Sequence, residues 1–342
     1  MHRTALFVLL ATAAPVALTS VAHAAGELNL YSSRHYDTDE ALYAEFEEQT
    51  GITINRIEGN ADELISRIET EGANSPADVL LTVDAGRLWR AEQAGLFQPV
   101  ESEVLASRIP DEFRHPDGLW FGFSERARVI YYDKERIDPA LLQTYEALAD
   151  EALRGEVCIR PGSNIYNLSL MASLIDHVGA EAAEQWAEGV VANFAREPQG
   201  NDTAQIRAVA AGECGVSVGN TYYMARLMRS DDPADKEVVE AVGVVFPNQE
   251  DRGTHVNISG AGVLTNAPNR DAAVQFLEYL ASDQAQAYFA NGNNEYAVVD
   301  TVEVDNPALD TLGAFVADDL NVAVLGANQT EAQQVYDRAG WK

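Results

Sequence analysis

Three short segments place tyrosine directly after a strand-like run: Arg34-His35-Tyr36 after ELNLYSS, Ser-Asn-Ile-Tyr166-Asn after GEVCIR, and Asn220-Thr221-Tyr222-Tyr223 after GVSVG. Together they offer four phenols and one imidazole at three strand ends. A free phenol keeps its proton to about pH 10, so it ligates only when a strongly polarising cation displaces that proton. Iron(III) is a hard trivalent acid that prefers anionic oxygen, and imidazole is an acceptable but less selective partner. Taken singly, a tyrosine at a strand end is a core plug whose hydroxyl reaches water. Tyr31, Tyr43, Tyr131, Tyr132, Tyr145 and Tyr279 read that way. Coincidence of position sets the other four apart. In a strand, Tyr222 and Tyr223 would point to opposite faces; at a turn that opens a helix, both can converge on one ion.

Such loops need a framework, and the chain alternates accordingly. ELNLYSS reads as a strand, and Asp37-Thr-Asp-Glu40 resembles a capping box opening a helix with Leu42 and Phe46 on its apolar face, ended by Gly51. The strand ITINRIE, a helix through Leu64, Ile65 and Ile68, the continuous apolar strand DVLLTVD and a helix carrying Leu88 and Trp89 follow. This βαβα order predicts a parallel sheet covered on both faces. A second α/β series starts at FGFSERARVIYYD, with a helix expected from near Tyr145 to Leu153, the strand GEVCIR, helices from about Asn167 and around Trp186, and the strand CGVSVGN. GVVFPNQ through VNISGAGVLT reads as strand, Asp271 to Phe289 as helix, and Gln333 to Arg338 as a last helix. No low-complexity linker separates the halves, so two lobes joined by strands would hinge around a cleft. Ligand sites in such sheets lie at the carboxyl ends of strands, where the tyrosines are.

The segments LYSSRHYDTDEALYAEFEEQTGI, DVLLTVDAGRLWRAEQAGLFQPV, FSERARVIYYDK, CIRPGSNIYNLSLMASLI, GVSVGNTYYMARL and HVNISGAGV resemble the periplasmic ferric-iron-binding proteins, solute receptors of ferric ABC importers. SRHY, NIYN and NTYY are the specific parts; DAGRLWRAEQAGL is shared by receptors for other solutes. The resemblance spans nearly the whole chain beyond the first residues. It implies the type II two-lobed periplasmic binding fold, with a cleft between lobes joined by crossing strands. One lobe would comprise residues 25–122 plus about 253–300, the other 123–252 plus about 301–342. It also implies phenolate ligands at Tyr166, Tyr222 and Tyr223, with His35 and Tyr36 approaching from the first lobe. Some members add a carbonate or phosphate beside iron; with five candidate protein ligands, this chain fits the branch that requires none. Arg34 and Arg126 would balance phenolate charge or contact an anion, or else form ordinary salt bridges. The expected partner is an ABC importer permease, and the expected state a monomer.

Composition agrees with export. Arg3 precedes an apolar run closed by Ala22-His23-Ala24, the pattern of a secretory signal over residues 1–24, with the periplasm of a Gram-negative cell as destination. The first cysteine is Cys158, so no lipid anchor is expected at the cleavage point. Lys+Arg number 23 against 54 Asp+Glu, a net charge of -31; loss of Arg3 with the signal makes it 22 - 54 = -32. That charge disfavours nucleic acid and anionic membranes as partners, while 46% hydrophobic residues argue against disorder. Export also favours a Cys158–Cys214 disulfide over two buried thiols. Two competing readings stand beside iron. The same architecture serves a polyamine, thiamine or an organic anion, and Gly215-Val-Ser217-Val-Gly219 matches the G-x-S-x-G elbow of serine hydrolases. The hydrolase would need His255, the only histidine downstream, with Asp231, Asp232, Asp235 or Asp251 as the acid. No oxyanion loop of the HGGG type precedes the serine, and the expectation is a receptor without enzymatic activity.

Overall fold

The computed structural model describes residues 26–34, 36 and 38–342. The proposed signal segment and His35 lie outside the described residues. Eight strands are described: β1 (Glu27–Ser32), β2 (Thr53–Glu58), β3 (Val79–Val83), β4 (Phe121–Asp133), β5 (Val157–Cys158), β6 (Val216–Asn220), β7 (Val242–Val245) and β8 (Val256–Val263). They form one continuous sheet in the order β2-β1-β3-β8-β4-β6-β5, with β7 beside β4.

The expected βαβα unit is present: β1 pairs in parallel with β2 and β3, and the helices Asp39–Thr50 and Ala61–Glu71 make the crossovers. Every residue of β3 is buried, as its unbroken apolar run requires of a strand covered on both faces. Gly51, at φ 70°, ends the first helix in the left-handed conformation that costs glycine little. Beyond β3 the pairing turns antiparallel. β4, 13 residues long, pairs through residues 121–127 with β8 and through residues 128–133 with β6 and β7. This strand therefore runs from one lobe into the other, and β8 accompanies it. The two-lobed α/β architecture follows from that crossing. A short C-terminal helix, Ala323–Ala327, packs against both Ala85–Gln93, which follows β3, and Ile165–Val178, which follows β5.

Two helical expectations are corrected. Residues 139–153 form three 3-10 turns rather than a helix, because Asp138 and Asp150 cap the backbone N–H groups of Ala140 and Ala152 and restart the chain each time. Residues 271–289 belong to two helices, Arg270–Leu280 and Asp283–Asn293, because Ser282 caps the second through the N–H of Ala285. Cys158, at the end of β5, is bonded to Cys214, just before β6, with their Cα atoms 5.8 Å apart.

Candidate metal centre

Two of the three tyrosine segments open helices. Asn164 caps the helix Ile165–Val178 by accepting a hydrogen bond from the N–H of Tyr166, which fixes Tyr166 in the first turn. Helix Thr221–Met228 starts without a linker at the end of β6, so Tyr222 and Tyr223 stand on a first helical turn rather than on a strand. Their rings lie 4.3 Å apart, centroid to centroid. Tyr36 follows β1. All four tyrosines line one cleft of about 400 Å³, together with Asn60, Arg87 and Arg226. The hydroxyls of Tyr166 and Tyr222 are 3.5 Å apart. Among the described residues, no three His, Cys, Asp or Glu side chains are grouped to hold a metal, so the donor set of this cleft is phenolic.

The surroundings raise the phenols of Tyr36, Tyr222 and Tyr223 above their ordinary value and so favour their protonated form when no cation is present. Burial, then the negative charge of Glu295, pushes Tyr36 up to about 12. Burial and the adjacent Tyr166, Tyr36 and Tyr223 hold Tyr222 well above the usual phenol value, and burial with Tyr166 and Asp202 does the same to Tyr223. Each ionisation opposes the next, so only a highly charged ion can draw several protons off together.

Guanidinium groups surround the four rings. Arg34 lies 4.8 Å from the centre of the Tyr36 ring, Arg126 5.9 Å from Tyr222, and Arg160 and Arg128 5.3 and 5.9 Å from Tyr166. Arg226 stands 5.8 Å from Tyr36 and 6.0 Å from both Tyr222 and Tyr223. Arg34 and Arg126 are engaged behind the cleft: both pair with buried Glu295 and donate to Ser259, and Arg34 also pairs with Asp39. Although burial opposes it, these two cations hold the Glu295 carboxyl down at about 2. Arg128 donates to Asn167, next to Tyr166, and to Asn220, just before the Tyr222 helix, tying both tyrosine-bearing helices to the crossing strand.

Glu295→Gln leaves two buried arginines short of a counter-charge, and a loss of about 3 kcal/mol in urea unfolding at pH 7 is expected. Because the folded carboxyl titrates below its unfolded value, this contribution is present above about pH 4.5. It is lost as the pH falls toward 2, so wild type and variant should converge in acid.

Sequence reasoning passed over Arg226, Arg128 and Glu295. Arg226 had a signal, since it lies four residues after Tyr222 on one helix face. Arg128 had a weaker one, sharing a strand face with Arg126 two residues away. Glu295 had none, being 261 residues from Arg34.

The hydrolase elbow dissolves in the fold. Ser217 is the second residue of β6, fully buried, paired with Tyr131 and Cys158, and its hydroxyl has no partner. Both glycines serve packing: a Cβ at Gly215 would lie 2.6 Å from Glu156 Oε2, and one at Gly219 2.7 Å from the Tyr131 ring. His255 is buried, and burial lowers it to about 3.

The sequence matches the family model described as bacterial extracellular solute-binding protein over residues 41–313. Iron uptake protein A2 of Synechocystis sp. is 59% identical over 317 residues, 92% of this chain and 90% of the relative. A Trichodesmium protein solved with iron and citrate ligands superposes with a TM-score of 0.90 at 56% identity, over 93% of this chain and 100% of that one. The ferric binding protein from Campylobacter jejuni gives a TM-score of 0.87 at 40% identity, over 92% of this chain and 100% of its own.

Proposed function

This chain belongs to the bacterial extracellular solute-binding proteins, and from that premise we propose that it is an iron(III) receptor. It captures the ion through Tyr36, Tyr166, Tyr222 and Tyr223 and passes it to an ABC importer in the membrane. The observation that carries this reading is the convergence of four phenols from three separate segments on one cleft that, among the described residues, has no carboxylate cluster. A relative named as an iron uptake protein and a similar structure solved with iron and citrate support it. His35, adjacent to Tyr36, is a fifth candidate ligand, and with it the protein needs no added anion.

In this mechanism the ion enters between the lobes and meets Tyr166, Tyr222 and Tyr223 on the second. It draws off their protons, and Tyr36 completes the sphere as the lobes close about β4 and β8. The lobes in this reading are residues 25–122 with about 253–300 and residues 123–252 with about 301–342. The permease then reads the closed form, since only that form presents both lobes in fixed relation. The leader over residues 1–24 would deliver the chain to the periplasm.

Titrating the purified protein with ferric citrate tests the reading. Phenolate bound to iron(III) absorbs intensely in the visible, so an orange-red band saturating at one iron per chain is expected. A colourless mixture with an unchanged melting temperature would overturn the assignment.

A further inference from the structure

Asp84 stands where the first lobe, a crossing strand and the Tyr166 helix meet. It follows β3 and caps the helix Ala85–Gln93 by accepting a hydrogen bond from the N–H of Gly86 at 2.9 Å. Its backbone has φ 82°, a conformation that favours glycine and that an aspartate holds only when its surroundings enforce it. The surroundings here are specific. The carboxylate accepts from Asn257 Nδ2 of β8 at 3.0 Å, and the backbone N–H donates to the carbonyl of Ile258 at 2.8 Å. Asn257 in turn accepts from the N–H of Ala85. The remaining bond reaches the other lobe: Ser169 Oγ donates to Asp84 Oδ1 at 2.7 Å, and both residues are fully buried. Ser169 lies three residues beyond Tyr166, on the same face of the helix Ile165–Val178.

One carboxylate thus ties the end of β3, the crossing strand β8 and the first turns of a ligand-bearing helix. The position would be more relaxed with glycine, yet glycine could not make the bonds to Ser169 and Asn257. We propose that Asp84 is a positioning residue for iron capture: through the Ser169 hydroxyl it fixes the Tyr166 helix against the first lobe and holds the closed cleft on its ion. This rests on the iron reading above. Neither residue touches the ion. Their effect is on how long the closed arrangement persists, because the Asp84–Ser169 bond crosses between lobes close to the strands about which they move.

The test compares iron release to excess chelator, followed by the visible band, for wild type, Ser169→Ala, Asp84→Gly and the double variant. Ser169→Ala removes only the interlobe bond and leaves the cap of the helix Ala85–Gln93 intact. Asp84→Gly removes the carboxylate while suiting the backbone. Release about tenfold faster is expected from Ser169→Ala, as for loss of one charge-assisted hydrogen bond, with the band position and the iron stoichiometry unchanged. The double variant should release iron no faster than Asp84→Gly alone, because both substitutions remove the same link. Release from Ser169→Ala at the wild-type rate overturns the proposal, and so does a double variant a further tenfold faster than Asp84→Gly. Absence of any band in the wild-type protein would instead overturn the iron reading itself, so the two failures are distinguishable.

Discussion

Lowering the pH from 7 to 6 is expected to weaken iron(III) binding by about three to four orders of magnitude, measured against a chelator of known proton dependence. The reason is stoichiometric. Tyr36 is pushed up to about 12, and Tyr222 and Tyr223 are raised by burial and by neighbouring tyrosines, so these phenols carry their protons in the empty cleft. Binding must therefore release one proton for each phenolate formed, and affinity changes about tenfold per pH unit for every proton released. Three or four ligating phenols give the stated slope. At Tyr36, Tyr222 and Tyr223 burial makes the proton harder to remove and nearby guanidinium groups make it easier; these effects set the level of affinity but leave the slope untouched. An affinity independent of pH would exclude phenolate ligation.

Tyr222→Phe and Tyr166→Phe are each expected to lower iron affinity about a thousandfold and to remove or shift the visible band. Outer-shell changes at metal sites cost about 10–100-fold, and loss of a ligating oxygen should exceed that. Phenylalanine at position 222 preserves the ring that lies against Tyr223 and below Arg226, so packing survives and only the donor is lost. Tyr145→Phe is the control. Its hydroxyl is buried away from the cleft, donating to the carbonyl of Arg128 at 2.5 Å and accepting from the N–H of His255 at 3.2 Å. That variant should lose about 1–3 kcal/mol of stability and keep the full band. Equal loss of iron in all three variants would indicate general misfolding and defeat the ligand assignment.

Much of the scaffold was legible in the chain because its signals are local. An unbroken apolar run such as VLLTV is stable only where both faces are covered, and Gly51 can end a helix where other residues pay a steric penalty. Local signals also misled where capping competes with helix extension. The run from Tyr145 to Leu153 has apolar residues at helical spacing, yet Asp150 bonds to the backbone ahead of it and breaks the run into short turns. The match of Ser217 to a hydrolase elbow failed for a related reason. Two glycines around a serine specify close approach as readily as a sharp turn, and only the packing of Glu156, Ile137 and Tyr131 distinguishes them.

The sequence by itself determined most of the elements, that they alternate into an α/β chain, and that tyrosines stand at strand ends, because hydrophobic period and turn chemistry depend on neighbouring residues. Only the tertiary structure decided that Tyr36, Tyr166, Tyr222 and Tyr223 share one cleft. It also decided that Arg34 and Arg126 are committed to Glu295 behind the rings, and that Asp84 at the end of β3 reaches Ser169 on the Tyr166 helix. These are short-range Coulombic and hydrogen-bond contacts between residues far apart in the chain, and their strength depends on burial that no local pattern encodes. The large negative charge gave no guide to the site for the same reason: among the described residues the cleft is lined by phenols and arginines, while Glu295, Asp39 and Asp202 are buried beside arginine.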